Sequence, residues 1–154
     1  MKIERVWAMP NKRTFDIPPI RKLILEEIKG GVIVDPFPYP FKHDAIKYLN
    51  TFEAQSVDNL MFDPPYSQRQ LREVYDNAGL SLEIMNNSYW SRCKEEIARI
   101  IKPGGKVLSF GWNSSGIGKG RGFEKTRILL VCHGSQHNDT ICIVEKKVQT
   151  TLDK

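Results

Sequence analysis

Val57-Asp58-Asn59-Leu60-Met61-Phe62-Asp63-Pro64-Pro65-Tyr66 is the stretch that decides the fold of this 154-residue chain. An apolar run stops abruptly at two prolines, which donate no backbone hydrogen bond and hold φ nearly fixed. The pattern is a buried strand with Asp63 and Tyr66 presented rigidly at its carboxyl end. In open α/β sheets that end is where ligands bind. A carboxylate, a stiff carbonyl pair and an aromatic ring at one strand tip suit a planar, amino-bearing ring. Asp63 as a strand-end cap and Tyr66 as a packed rim aromatic are the plainer alternatives.

Outward from this strand the chain alternates. Pro18-Pro19 opens a helix with Ile20, Leu23, Ile24 and Ile28 on one face, closed by Gly30-Gly31. Val32–Val34 reads as a short strand ending at Asp35-Pro36. Asp44 to Phe52 and Ser67 to Asn77 read as helices, and a longer one runs from Ser88 to Ile101. Lys106 to Gly111 is the next strand, after Lys102-Pro103-Gly104-Gly105. A Gly-rich basic loop, Ser114 to Lys125, is expected to be flexible. Arg127–Cys132 and Thr140–Glu145 then form a hairpin at a sheet edge. Residues 1–17 are expected to be irregular, and the polar tail 146–154 to fray. One α/β domain covers the chain.

Composition narrows the function classes. No apolar run approaches the eighteen or so residues of a membrane helix. The amino terminus lacks a secretory apolar stretch, so a cytoplasmic chain is expected. Three cysteines form no CxxC pair, and Cys132-His133 with His137 matches no zinc spacing, so no metal is expected. The net charge of +5 is compatible with a polyanionic partner.

Asp63-Pro64-Pro65-Tyr66 resembles the catalytic motif of S-adenosylmethionine-dependent amino-methyltransferases that modify DNA. The acidic first residue leans towards adenine. The Lys102–Gly105 step and the terminal hairpin are similar to the same class I fold. The resemblance is strongest to small adenine methyltransferases of phages and mobile elements. They share a similar start (Asn11 to Ile20), a similar Ser109-Phe110-Gly111-Trp112-Asn113 and a similar basic loop. It implies a reduced Rossmann-like sheet, mostly parallel, with an antiparallel carboxyl-terminal hairpin and one or two strands missing. It implies that Asp63 and the Pro64 carbonyl, stiffened by Pro65, take the two amino hydrogens of a flipped adenine while Tyr66 stacks on it. Asp63 needs no raised pKa for this.

The same resemblance places Asp35, Pro36 and Phe37 in the S-adenosylmethionine loop, with Phe15 and Asp44 as further contacts; packing or capping is the alternative for Phe15 and Asp35. Here the chain departs from the family. Phe37-Pro38-Tyr39-Pro40 stands where glycines would carry amides to the cofactor, and only 28 positions separate Asp35 from Asp63. The strand whose acidic end binds the cofactor ribose is missing from that interval. Arg69, Arg72, Lys119 and Arg121 are the candidate nucleic-acid contacts, with solvated surface as their alternative. DNA is the expected partner, with RNA as an alternative. No large recognition domain is expected in a chain of this length. Sequence demand is therefore short or loose, or a second copy or partner subunit supplies it. A catalytically silent, nucleic-acid-binding module or methyltransferase subunit is the rival reading.

Overall fold

The computed structural model describes residues 1–82 and 88–148. Its strands are β1 (Lys2–Trp7), β2 (Ile33–Val34), β3 (Val57–Phe62), β4 (Ile101–Gly111), β5 (Phe123–Cys132) and β6 (Thr140–Lys147). The helices are α1 (Pro18–Glu27), α2 (Ala45–Asn50), α3 (Gln68–Asn77) and α4 (Ser88–Ile100). Six strands form one sheet in the order β1-β5-β6-β4-β3-β2. β6 runs antiparallel to both neighbours, and every other pair is parallel. This is the mixed, mostly parallel α/β sheet expected, and residues 35–56 contribute no strand to it. Among the described residues no helix is long and apolar enough to cross a membrane.

The apolar spacing explains the two layers. Ile20 and Leu23 of α1 pack on Leu108, Phe110, Leu129, Val131 and Val144. On the opposite face, Leu71 and Tyr75 of α3 and Tyr89, Cys93, Ile97 and Ile100 of α4 cover Leu60, Phe62 and Val107. Spacings of three and four keep each set on one helical face. The Ser67 hydroxyl caps α3 by accepting from the Gln70 amide at 3.2 Å, and Asp44 caps α2 through the Lys47 amide at 2.8 Å.

Three expectations need correction. First, residues 1–17 are not irregular, because β1 pairs with β5 from Lys2↔Arg127 to Trp7↔Cys132, and this added strand puts the β5–β6 hairpin inside the sheet instead of at its edge. Arg127 holds the join, donating to Glu4 at 2.6 Å, to Glu26 at 2.8 Å and to Glu27 at 3.1 Å. Second, the basic loop is not loose. β5 starts at Phe123, and the buried Glu145 carboxylate accepts from the Ile117 amide at 2.7 Å and the Gly118 amide at 3.0 Å. Gly116 has φ +60°, and a Cβ there would strike that carboxylate. Third, Lys146 and Lys147 continue β6 instead of fraying; the expectation for 149–154 lies outside the described residues.

Lys102-Pro103-Gly104-Gly105 is also more than a helix stop. Ile101 pairs with Val57 and Lys106 with Asn59, so residues 102–105 bulge opposite Asp58. Asp58 ties this bulge down, accepting from Lys102 Nζ at 3.0 Å and from the Val32 amide at 2.8 Å. The short edge strand β2 is thereby held in register beside β3.

Candidate active site

β2 and β3 are parallel neighbours, so Asp35 and Asp63 leave the sheet at the same end. Between them opens a cavity of about 910 Å³. Its floor is Asp35, Asp63, Pro64, Pro65 and Tyr66. One wall is the strap 10–17 between β1 and α1, and the other comes from α3 and the β5–β6 loop. The size lies within the roughly 300–1,000 Å³ of small-molecule sites.

The motif is held from several sides. Tyr66 Oη donates to Asp63 Oδ1 at 2.9 Å, and the Tyr66 amide donates to Gln70 Oε1 at 2.9 Å. Trp90 Nε1 donates to the Pro65 carbonyl at 3.0 Å, fixing the peptide plane after the second proline. The Tyr66 ring meets Trp112 edge-to-face, with centroids 5.0 Å apart. Thr14, from the strap, lines the same cavity as Asp63.

Burial pushes the Asp63 carboxyl up to about 6, against the lowering effect of the Thr14 and Tyr66 hydroxyls. Burial likewise raises Asp35 to about 6, opposed by its bond from the Phe37 amide and reinforced by the negative charge of Asp63. A group bearing positive charge between them would relieve both.

The remaining sequence candidates are distributed unevenly. Phe15 and Phe37 line the cavity with Asp35; Pro36 and Asp44 do not. The Asp44 carboxylate is committed to the α2 cap and to Tyr75 Oη at 2.5 Å, and Tyr75 continues to Tyr89 Oη at 2.6 Å. Arg69 and Arg72 are exposed on α3, where Arg69 pairs with Glu73 at 3.6 Å. Lys119 and Arg121 form a 3-10 turn away from the cavity wall. Arg121 is spent on the fold, reaching Glu95 at 2.9 Å, Ser91 at 3.0 Å and the Ile117 carbonyl at 3.0 Å. Arg127, just beyond the basic loop, is enclosed by its three glutamates.

The sequence reading passed over Lys12, Arg13, Thr14, Gln70, Trp112 and the β5–β6 loop, all of which line the cavity. Thr14 lies inside the Asn11–Ile20 segment that carried the resemblance, which was the available signal. His133 is structural: its ring bonds the Ala8 carbonyl at 2.9 Å and Thr140 Oγ1 at 2.8 Å. A smaller cavity of about 270 Å³ lies beyond Tyr66, against Trp90, Lys94, Trp112 and Ser109. The Ser109 hydroxyl is buried with no hydrogen-bond partner among the described residues.

No family model matches the chain, and no curated protein matches it. Solved structures do. TTHA0409 from Thermus thermophilus, provisionally named a DNA modification methylase and solved with S-adenosyl-L-methionine, is 15% identical at a TM-score of 0.48. That match covers 71% of this chain and 53% of TTHA0409, so the chain spans about half that protein's length. TrmN from Thermus thermophilus is 15% identical over 86% of this chain and 49% of its own, at a TM-score of 0.42. PH0226 from Pyrococcus horikoshii is 11% identical over 95% of this chain and 81% of its own, at a TM-score of 0.43. Each of these likenesses concerns the backbone path alone.

Proposed function

We propose that this chain is an S-adenosylmethionine-dependent methyltransferase acting on the exocyclic N6 of adenine in DNA. The observation that carries the reading is the continuous cavity from Asp35 to Asp63, with Asp63-Pro64-Pro65-Tyr66 as its floor. The residues fit the cofactor. Two carboxylates of raised pKa face a space that suits a cationic ligand, and Phe15, Phe37 and Phe41 supply apolar wall.

S-adenosylmethionine, when bound, supplies an electrophilic methyl group. The chain's own task is to present the amine. An adenine amino nitrogen is conjugated with its ring and nucleophilically weak. Asp63 accepts one of its N–H bonds and the Pro64 carbonyl the other, which turns the lone pair out of conjugation and stabilises the developing positive charge. The Asp63 carboxylate, near pKa 6, can then hold the proton released. One of its oxygens already receives the Tyr66 hydroxyl, so the incoming amine shares or displaces that bond. Tyr66 and Trp112 form an aromatic corner for the base, and such stacking is worth about 1–3 kcal/mol per base. A duplex base reaches the site only after extrusion, at a cost of a few kcal/mol.

Labelled cofactor should transfer its methyl group to adenine in DNA, and Asp63→Ala should abolish transfer. A well-folded protein inert on varied DNA would overturn the proposal, and methylation of RNA alone would redirect it. One observation favours the silent-module reading: the Phe37 amide is consumed by Asp35 at 3.0 Å in a loop that also contains Pro36, Pro38 and Pro40. Calorimetric titration with S-adenosylmethionine separates the two, since micromolar affinity is incompatible with a module that has lost its cofactor.

A further inference from the structure

A ligand that carries an amino-acid group brings a carboxylate as well as cations. In the Asp35–Asp63 cavity that carboxylate faces a difficulty. The floor is negative, Glu73 adds a further carboxylate to the wall, and the 36–40 loop offers few amide donors. Prolines 36, 38 and 40 have no N–H, and the Phe37 amide is already bonded to Asp35.

Lys12 and Arg13 are the only lysine and arginine among the residues lining the cavity. The Arg13 guanidinium lies over the Tyr39 ring, 4.8 Å from its centroid, so it stands against the very loop that lacks amides. Among the described residues no salt bridge engages Arg13 or Lys12; the nearby Asp16 pairs instead with Arg21 at 2.9 Å. The backbone that projects Arg13 is fixed. Its amide donates to Asn11 Oδ1 at 2.9 Å and its carbonyl accepts from the Asp16 amide at 2.9 Å. The strap itself is held at both ends, by the Ala8 amide on the Cys132 carbonyl at 3.0 Å and by buried Ile17.

We infer that Arg13, with Lys12 beside it, anchors the α-carboxylate of the amino-acid end of the ligand, replacing the amides of a glycine loop. A guanidinium offers two parallel N–H donors that match a carboxylate. Charge then orients the ligand: Asp35 and Asp63 repel the carboxylate towards Arg13 and draw the cationic centre to themselves. The inference rests on the methyltransferase reading and deepens it.

The test compares S-adenosylhomocysteine with 5′-methylthioadenosine, which keeps the nucleoside thioether and lacks the amino-acid group. Wild type should bind the first more tightly by calorimetry. Arg13→Ala should weaken S-adenosylhomocysteine at least tenfold and methylthioadenosine less than twofold. Arg13→Lys should fall between, and Lys12→Ala should show a smaller loss of the same kind. Arg13 is exposed, so an unchanged thermal melt is expected to accompany the loss. Equal weakening of both ligands, or no change in either, overturns the inference while leaving the methyltransferase reading in place. So does a loss of salt-dependent DNA affinity with S-adenosylhomocysteine binding intact, which would assign Arg13 to a phosphate. Wild type that binds neither small molecule overturns both.

Discussion

Replacing Asp63 by asparagine should make the protein more stable at neutral pH while abolishing its chemistry. The raised pKa means that the folded chain holds the Asp63 proton more tightly than the unfolded chain does. A shift from 3.8 to about 6, at about 1.4 kcal/mol per pH unit, corresponds to roughly 3 kcal/mol spent on keeping the carboxylate ionised. Between about pH 4 and pH 6 the native state carries the extra proton, so this contribution to stability falls as pH rises through that window and is level above it. The amide removes the charge and keeps an oxygen to accept from Tyr66. Asp63 borders the cavity and retains some access to water, so the expected gain is about 1–3 kcal/mol at pH 8 and near zero at pH 4. Urea unfolding of both proteins at the two pH values, with m-values compared, measures it. A gain independent of pH, or a loss at pH 8, would refute the assignment of Asp63 as a buried, destabilised carboxylate.

The other expectations concern the site and its supports. Methyl transfer should fall as pH drops through about 6, because Asp63 and Asp35 then take up protons. A pH–rate profile checks this, and Tyr66→Phe should move that limb to higher pH, since the tyrosine hydroxyl lowers the Asp63 pKa. Glu145→Ala should cost about 2–4 kcal/mol in denaturant unfolding, because it strands the Ile117 and Gly118 amides. Ser109→Ala should be neutral or stabilising by about 1 kcal/mol in the same assay, since it deletes a buried hydroxyl without a partner. Arg127→Ala should lose about 3 kcal/mol, with three glutamates left facing one another.

The strand Val57–Phe62 and the α1 start at Pro18 were legible because an apolar pattern meets a proline signal in each. β1 was not. Lys2-Ile3-Glu4-Arg5-Val6-Trp7 carries charges on both faces, and its apolar Ile3 and Trp7 stay exposed at the sheet edge. Its strand character comes from Arg127, more than a hundred residues away, and no local window contains that partner. The basic loop misled for the same reason: its glycines suggest freedom, while Glu145 fixes them. The floor of the site was visible as a tetrapeptide. Its wall was not, because Arg13 and Thr14 reach the cavity only through the pairing of β1.

That pairing sets an order of events during synthesis. The strap bearing Arg13 and Thr14 emerges from the ribosome early, yet the strand that fixes its leading end, β5, spans residues 123–132. Asp63 therefore waits without Thr14 beside it until β5 has followed, more than a hundred residues after Thr14. Contacts of such sequence separation close late and slow folding. A cavity wall that leans on β1 thus cannot form before β5 exists to hold it.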